Sequence, residues 1–259
     1  MTLDLRSARS LSTGERAELF TAAYEGYVVP FRMDEATLAL MDAVFDLDLD
    51  ASLVAYRDGA PVGLANLGVR GEDGWIGGVG VVSAARRGGL GRALMDAIHE
   101  QARARGLRRV WLEVIVENAA AIAMYRSLGY EHVRDLEVWS VPLSVSERSA
   151  AELVPAERAL ARVRELRTWR EPWQRSDETL AHYDDLRGVE SEDGAAVYRV
   201  GANVQLLQIA GEAEELLRAL RVLAPVSVLN LPVDDPAADA LRGLGAAVTV
   251  RQHEMVLNL

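Results

Sequence analysis

The segment from Val79 to Leu94 contains the residues whose types and spacing most clearly predict chemistry. An apolar run leads into the loop Arg86-x-x-Gly89-x-Gly91, and a helical pattern starts directly after it. Glycines let successive backbone N–H groups turn toward one point, while a helix start adds unpaired donors and the positive end of its dipole. Arginines in the loop add positive charge. The loop therefore predicts a pyrophosphate site, and a solvated turn without a ligand is the alternative.

Two other phosphate-binding motifs do not fit this loop. A P-loop needs a Lys after its last glycine, and the chain contains no Lys. A Rossmann motif needs a different glycine spacing and an acidic residue at the end of the next strand. Glu113 stands at about the right separation but falls in the middle of that strand. The loop alone thus leaves the phosphate ligand unspecified.

Hydrophobic periodicity predicts a mixed α/β layer structure around the loop. Two helices come first, with Thr13 and Asp34 as predicted N-caps, and then a strand pair joined by a tight turn at Asp58-Gly59. Strand, helix, strand, helix and strand follow. The predicted helices cover residues 13–24, 34–47, 90–105 and 119–128, and the predicted strands 52–56, 61–69, 75–82, 109–116 and 133–143.

The second half of the chain repeats part of this order. Strands are predicted at 195–200, 204–209, 226–231 and 248–257, and helices at 212–223 and 235–244. Only Ala210-Gly211 separates the second of these strands from its helix, so this copy lacks a phosphate loop. The predicted domains are residues 1–145, a linker and helical segment at 146–194, and a degenerate half-domain at 195–259.

The composition excludes several classes of protein. The 259 residues are 50% hydrophobic and 26% charged, which is typical of a globular chain, and the net charge of −11 argues against nucleic-acid and anionic-membrane partners. Without Cys there is no thiol nucleophile or disulfide, and the four scattered His residues have no metal-ligand spacing, so no metal is expected. No stretch looks like a signal peptide or membrane span, so a cytoplasmic location is the expectation.

Three motifs in order resemble one known family. The phosphate loop is followed by Trp111-Leu-Glu-Val114 and then by the segment from Asn118 to Tyr130, with sequence Asn-Ala-Ala-Ala-Ile-Ala-Met-Tyr-Arg-Ser-Leu-Gly-Tyr. This pattern resembles the GNAT superfamily of acyl-CoA-dependent N-acetyltransferases. Residues 75–130 are most similar to the ribosomal-protein alanine N-acetyltransferases. The resemblance implies an α/β (α+β) fold with a GNAT-like mixed sheet flanked by helices, and a second, smaller GNAT-like α/β domain.

The resemblance also implies acetyl-CoA as co-substrate and a site to hold it. Backbone groups of the strand before the loop would bind the pantetheine arm, the loop would bind the pyrophosphate, and Asn118 would contact the cofactor. Asn118 is also a natural N-cap for the next helix. The cofactor-binding residues expected in this way are Val79, Gly80, Val81, Arg86, Arg87, Gly88, Gly89, Leu90, Gly91, Arg92 and Asn118.

Acetyl transfer to an amine needs one base and one acid. The protonated amine must lose a proton before it attacks the thioester, and the leaving thiolate must gain one. By resemblance, Glu113 is the base and Tyr125 the acid, and a strand N–H such as that of Val81 stabilises the oxyanion. A surface carboxylate on an edge strand is the alternative for Glu113, and core packing is the alternative for Tyr125.

The acceptor is expected to be an amine of a small molecule or peptide. By resemblance, the first two helices and their loop select it, and aromatic rings beside carboxylates suit a cationic amine. The expected substrate-binding residues are Tyr24, Glu25, Tyr27 and Phe31, with Trp173 of the second domain covering the same cleft.

Three functions remain open on the sequence alone. The chain could acetylate a small-molecule amine, acetylate the N-terminus of a protein or peptide, or bind acyl-CoA as a sensor without turnover. The first domain lacks a clear final strand after Leu143. A homodimer that shares a strand between subunits is therefore also compatible with the sequence.

Overall fold

The chain folds into two compact units in the computed structural model, which describes residues 3–29, 32–144 and 148–259. The first unit consists of residues 1–133 and 253–259, and the second of residues 134–252. The sequence instead suggested a boundary near 145 and a linker up to 194. The difference arises because residues 152–190 contain strands and helices that pack within the second unit, a pattern too short and polar to be read as such.

The first unit begins with a strand and two helices and continues as predicted. Its elements are β1 (Leu3–Ser7), α1 (Thr13–Ala23), α2 (Glu35–Val44), β2 (Leu53–Arg57), β3 (Ala60–Arg70), β4 (Asp73–Val81), α3 (Leu90–Ala104), β5 (Arg109–Ile115), α4 (Ala119–Ser127) and the start of β6 (Glu131–Val141). Strands β1 to β4 pair in antiparallel fashion in chain order, and β5 lies parallel to β4. The mixed sheet flanked by helices is confirmed. Strand β1 was not predicted.

Local signals explain where several of these elements begin and turn. Asp58 and Gly59 both have positive φ, at 52° and 84°, as the turn between paired strands requires. Asp34 caps α2 by accepting from the backbone N–H of Thr37. The N-cap of α1 is Ser12 rather than Thr13, because Ser12 and Glu15 form a reciprocal capping box.

The core of the first unit is completed by residues from the far end of the sequence. Met255 and Leu257 are buried in the same hydrophobic cluster as Leu94, Ile98 and Leu112. They belong to the end of β12 (Ala247–Asn258), which is hydrogen-bonded next to β5. The strand that the first domain lacked in the sequence analysis thus comes from the same chain, and no second subunit is needed to supply it.

The second unit contains the predicted repeat and additional elements before it. These elements are the remainder of β6, β7 (Glu152–Val154), α5 (Ala156–Leu166), α6 (Asp177–Leu180), β8 (Arg187–Glu190), β9 (Gly194–Val200), β10 (Val204–Gly211), α7 (Glu214–Arg221), β11 (Val226–Pro232), α8 (Ala237–Gly243) and the start of β12. Strand β10 pairs antiparallel with β9 and parallel with β11, as β4 does with β3 and β5. The prediction of a second GNAT-like α/β domain is confirmed.

Among the helices in the described ranges, none combines the length and the apolar character needed to cross a bilayer.

Candidate active site

Strands β4 and β5 pair only at their beginnings and then separate. The parallel register runs from Asp73 opposite Arg109 to Trp75 opposite Trp111, and it ends there. Beyond this point the backbones of the two strands are no longer paired. A gap therefore opens toward their carboxyl ends, where α3 and α4 begin.

A β-bulge in β4 causes the separation. Val79 pairs with Ala65 and Ile76 with Leu67, so Gly77 and Gly78 together face one residue of β3. Gly78 has φ of 132°, a backbone conformation that a side chain would strain.

Two glycines of β4 allow helix α1 to pack closely on this strand. A Cβ on Gly78 would lie 2.8 Å from the ring of Phe20, and one on Gly80 would lie 2.7 Å from the Cβ of Ala23. Side chains at these two positions would therefore push α1 away from the bulged strand.

A cavity of about 160 Å³ lies between the separated ends of the two strands. It is lined by nine of the residues predicted for catalysis, cofactor binding or acceptor binding, namely Tyr24, Tyr27, Val79, Gly80, Val81, Gly91, Glu113, Asn118 and Tyr125. These residues come from the segment after α1, from β4, α3 and β5, and from α4 with its N-cap. The fold therefore brings together residues that stand far apart in the sequence.

Glu113 lies on β5 at the edge of this cavity and is held by an indole. The Nε1–H of Trp75 donates a hydrogen bond of 2.8 Å to Glu113 Oε2. Trp75 is itself 4% exposed and packs edge to face against Phe45, with ring centroids 5.3 Å apart. The carboxylate is thus fixed by a rigid donor on the neighbouring strand, which sequence spacing did not reveal.

Tyr125 faces the cavity from α4, and burial keeps its hydroxyl protonated. Burial raises the pKa of Tyr125 well above its usual value, with a smaller contribution from Tyr27. The phenol is therefore a proton donor throughout the neutral range. Asn118 caps α4 by accepting from the N–H of Ala121, while its amide lies 3.5 Å from the Tyr27 hydroxyl. Both functions anticipated for Asn118, cap and cavity residue, are compatible in this position.

The loop before α3 has the backbone conformation expected of an anion-binding turn. Arg87 and Gly89 both have positive φ, and Gly89 is the N-cap of α3. The exposed Arg87 side chain makes no ion pair within the described part of the chain. Arg92 donates to Ser127 Oγ of α4 at 2.7 Å. The loop thus combines helix-start donors, left-handed turns and an available guanidinium.

Arg86 is engaged with the backbone rather than directed at open solvent. Its Nε donates to the carbonyl of Val81 at 2.9 Å, and its Nη2 donates to the carbonyls of Ala23 and Glu25 at 3.1 and 2.7 Å. These last two carbonyls lie at the negative end of α1. Arg86 therefore ties the end of α1 to the end of β4.

Two further residues predicted for acceptor binding are not part of the cavity lining, and a third lies outside the described residues. Glu25 is exposed beside the end of α1, Phe31 lies outside the described residues, and Trp173 is 4% exposed inside the second unit.

Two histidines that are distant in the sequence meet in the first unit. The rings of His132 and His253 pack edge to face with centroids 4.9 Å apart, a proximity that their spacing did not predict. His99 is buried, its Nε2 lies 3.0 Å from the Tyr130 hydroxyl, and desolvation lowers its pKa to about 4. His99 is therefore neutral near pH 7.

The second unit also contains a bulged strand, β10, whose pairing with its parallel neighbour β11 ends early. Strand β10 pairs with β11 from Val204 to Leu206, and its register with β9 shifts directly afterwards. The last paired residues are Trp111 on β5 and Val228 on β11. With these two residues aligned and no gap introduced after them, Asn230 corresponds to Glu113 of the first unit. Asp235 then corresponds to Asn118, and Arg242 to Tyr125. The copy therefore lacks the carboxylate, the phenol and, as predicted, the phosphate loop.

A segment of the chain itself joins the two separated strands in this second copy. Gln208 of β10 donates to the carbonyl of Arg175 at 2.6 Å, and Arg175 donates to the carbonyl of Leu229 on β11 at 3.3 Å. Arg175 is 1% exposed and pairs with the equally buried Glu171 at 2.9 Å. Residues 171–177 thus take the place between β10 and β11 that corresponds to the cavity of the first unit.

Asp235 makes the stability of the second unit sensitive to pH. Burial raises the pKa of its carboxyl to about 6, Glu171 acts in the same direction, and Arg175, Arg134 and the Ala237 N–H act against it. Because this value lies above that of the unfolded chain, ionisation destabilises the fold as the pH rises through 6. We expect Asp235→Asn to raise the free energy of unfolding by roughly 2–3 kcal/mol at about pH 7.5. Denaturant titration over a pH series measures this gain, which should shrink as the pH falls from about 6 to about 4.

The exposed Asp239 on α8 provides the matched control, since Asp239→Asn removes the same charge from a side chain in water. It should produce no comparable pH-dependent gain. A gain for Asp235→Asn that is constant across the pH series would contradict the role assigned to ionisation.

Comparisons with known proteins agree with this geometry. Residues 17–130 match the acetyltransferase (GNAT) family. Over 45 residues the chain is 51% identical to ribosomal protein bS18-alanine N-acetyltransferase of Escherichia coli strain K12, a match that covers 17% of this chain and 30% of that relative. The predicted resemblance of a segment to these enzymes is confirmed.

Two solved structures share the fold along nearly the whole chain. A GCN5-related N-acetyltransferase from Sphaerobacter thermophilus superposes with a TM-score of 0.77 at 16% identity, covering 99% of this chain and 95% of its own. A tandem GNAT protein from the clavulanic acid biosynthesis pathway superposes with a TM-score of 0.68 at 16% identity, covering 99% and 98%. The sequence of residues 17–130 thus matches the GNAT acetyltransferase family, and nearly the whole chain shares the fold of these two structures.

Proposed function

We propose that the protein transfers an acetyl group from acetyl-CoA to the primary amine of a small molecule by direct attack. The observation that carries this proposal is the cavity between β4 and β5, which Glu113 and Tyr125 both line beside a pyrophosphate-type loop. Acetyl-CoA, when bound, supplies an acyl thioester. The residues of the first unit bind it, position the amine and move two protons.

The binding roles follow from the backbone and the loop. Residues Val79–Val81 would hold the pantetheine arm along the open edge of β4, and the N–H groups at the start of α3 would hold the pyrophosphate with Arg87 and Arg92. Arg86 would contribute by fixing the loop to α1 through backbone carbonyls. Tyr24 and Tyr27 border the cavity on the side of α1, and with Glu25 they remain our candidates for acceptor recognition.

The chemical roles follow from the state of each side chain. Glu113, held by Trp75, would accept the proton that the ammonium group must lose, and the neutral amine would then attack the thioester carbon. The C–S bond breaks as the C–N bond forms, and Tyr125 would deliver its proton to the leaving sulfur. The amide nitrogen would then release its second proton, which restores the Tyr125 phenol, and Glu113 would return the first proton to solvent. Its high pKa supports this role, because the phenol is protonated at the start.

Two alternatives are tested by the same experiment. The identity to a ribosomal-protein alanine N-acetyltransferase favours a protein or peptide N-terminus as acceptor. The match covers only 30% of that relative, so its acceptor does not transfer to this chain by identity alone. Binding of acyl-CoA without turnover is the other alternative, and the presence of Glu113 and Tyr125 in one cavity speaks against it.

The decisive measurement is release of free CoA from acetyl-CoA, followed with a thiol reagent across polyamines, aminoglycosides, amino acids and short peptides. The chain contributes no thiol background, since it has no Cys. We expect turnover with one chemical class of small amines. Turnover with peptides alone would favour the N-terminal alternative, and tight binding of acetyl-CoA without turnover on any acceptor would favour the sensor.

A further inference from the structure

The backbone amides of β4 that face the gap are identified by the strand pairing. The N–H of Val82 donates to the carbonyl of Val62 on β3. Because successive N–H groups of a strand point alternately to its two sides, those of Val81 and Val79 point away from β3 and toward the gap. Val79 directly follows the bulge. Its amide is the first donor that a group entering the cavity past the bulge would meet.

The hydroxyl of Tyr24, which directly follows α1, lies beside this donor in the same cavity. Burial raises the pKa of Tyr24, and the Val79 N–H, as a hydrogen-bond donor toward the phenol oxygen, acts in the opposite direction. The same hydroxyl lies 3.1 Å from the point where a Cβ on Gly78 would stand, so it reaches into the bulge itself. The ring is held by stacking on Phe20 at 4.8 Å and by an edge contact with Tyr27 at 5.0 Å.

We propose that the Tyr24 hydroxyl occupies the hydrogen-bonding position of the acyl oxygen, and that it must leave the Val79 N–H before the thioester can be bound productively. This inference rests on the proposed function, because only an acyl-CoA ligand brings a carbonyl oxygen to the bulge. A thioester oxygen and a phenol oxygen are both hydrogen-bond acceptors, and one N–H cannot serve both at full strength. Tyr24 is thus a positioning residue that discriminates between ligands with and without an acyl group.

The discrimination gives the proposal a specific signature. CoA has a thiol where acetyl-CoA has a thioester, so CoA has no oxygen that competes with Tyr24. Tyr24→Phe removes the competing hydroxyl and keeps the ring that packs on Phe20. We expect the variant to bind acetyl-CoA about 2- to 10-fold more tightly than wild type, the equivalent of one neutral hydrogen bond. Its affinity for CoA should be unchanged.

Calorimetric titration of wild type and variant with acetyl-CoA and with CoA, without acceptor, tests the proposal. Tyr56→Phe is the matched control, because it removes a phenol hydroxyl that bonds to Ser10 in the same unit but outside the cavity, and it should leave the ratio of the two affinities unchanged. Equal shifts for both ligands in Tyr24→Phe, or weaker binding of acetyl-CoA alone, would overturn the proposal and leave the proposed function intact. The latter result would mean that the phenol donates to the acyl oxygen. Wild-type protein that binds neither ligand would overturn the proposed function together with this inference.

Discussion

Replacing Glu113 with Gln lowers the turnover number by about 10²- to 10⁴-fold, the usual contribution of a general base, and leaves the affinity for acetyl-CoA unchanged. Gln keeps the shape of the side chain and an oxygen that can accept from the Trp75 indole. Only the basicity is lost, so the amine is no longer deprotonated within the cavity. Steady-state kinetics with the best acceptor and direct titration with acetyl-CoA measure the two quantities separately.

Glu117 supplies the control for this experiment. It follows the same strand by a few residues but is exposed, so Glu117→Gln removes an equal charge outside the cavity. Its turnover should match that of wild type. If Glu113→Gln also kept full turnover, Glu113 would be a structural carboxylate and another group would have to accept the proton.

Replacing Met255 with Ala destabilises the first unit by about 2–5 kcal/mol, the range for removing a large buried side chain. Met255 is 1% exposed and lies in the core cluster beneath α3 and α4. The cavity left behind cannot be refilled from β12, because that strand is fixed by its hydrogen bonds to β5. Denaturant unfolding followed by a probe in the first unit, such as protection by acetyl-CoA, measures the loss.

Leu40 is the matched control for this variant. It also belongs to the first unit, but it is 50% exposed on α2, so Leu40→Ala should change stability by no more than about 0.5 kcal/mol. If Met255→Ala were equally mild, the C-terminal strand would not contribute to the core in solution.

The elements and the strand-to-helix loop before α3 could be predicted because their signals are local. The turn at Asp58-Gly59, the cap at Asp34 and the strand-to-helix loop at Gly89 each depend on backbone preferences of neighbouring residues. The capping box of Ser12 and Glu15 was equally local and equally readable, since Ser and Glu stand three residues apart before a helical pattern.

The contacts that define the site could not be predicted, because they join residues without any fixed spacing. Nothing in the sequence pairs Trp75 with Glu113 or directs Arg86 to carbonyls at the end of α1. The same holds for the glycines of β4, because nothing in the sequence pairs them with α1. Local sequence patterns indicate which residue types the candidate site contains. Tertiary packing determines which side chain or backbone group each of these residues contacts.

The position of Met255 and Leu257 in the first core has a consequence for biosynthesis. Translation proceeds from the N-terminus, so the ribosome makes the loop, Glu113 and Tyr125 early but adds the strand that completes their core only after the whole second unit. A nascent chain halted at residue 252 would contain every proposed site residue and still lack part of the core that supports them. Acetyl-CoA affinity should therefore be acquired late, after residues 253–259 have been added, instead of while the second unit is still being synthesised.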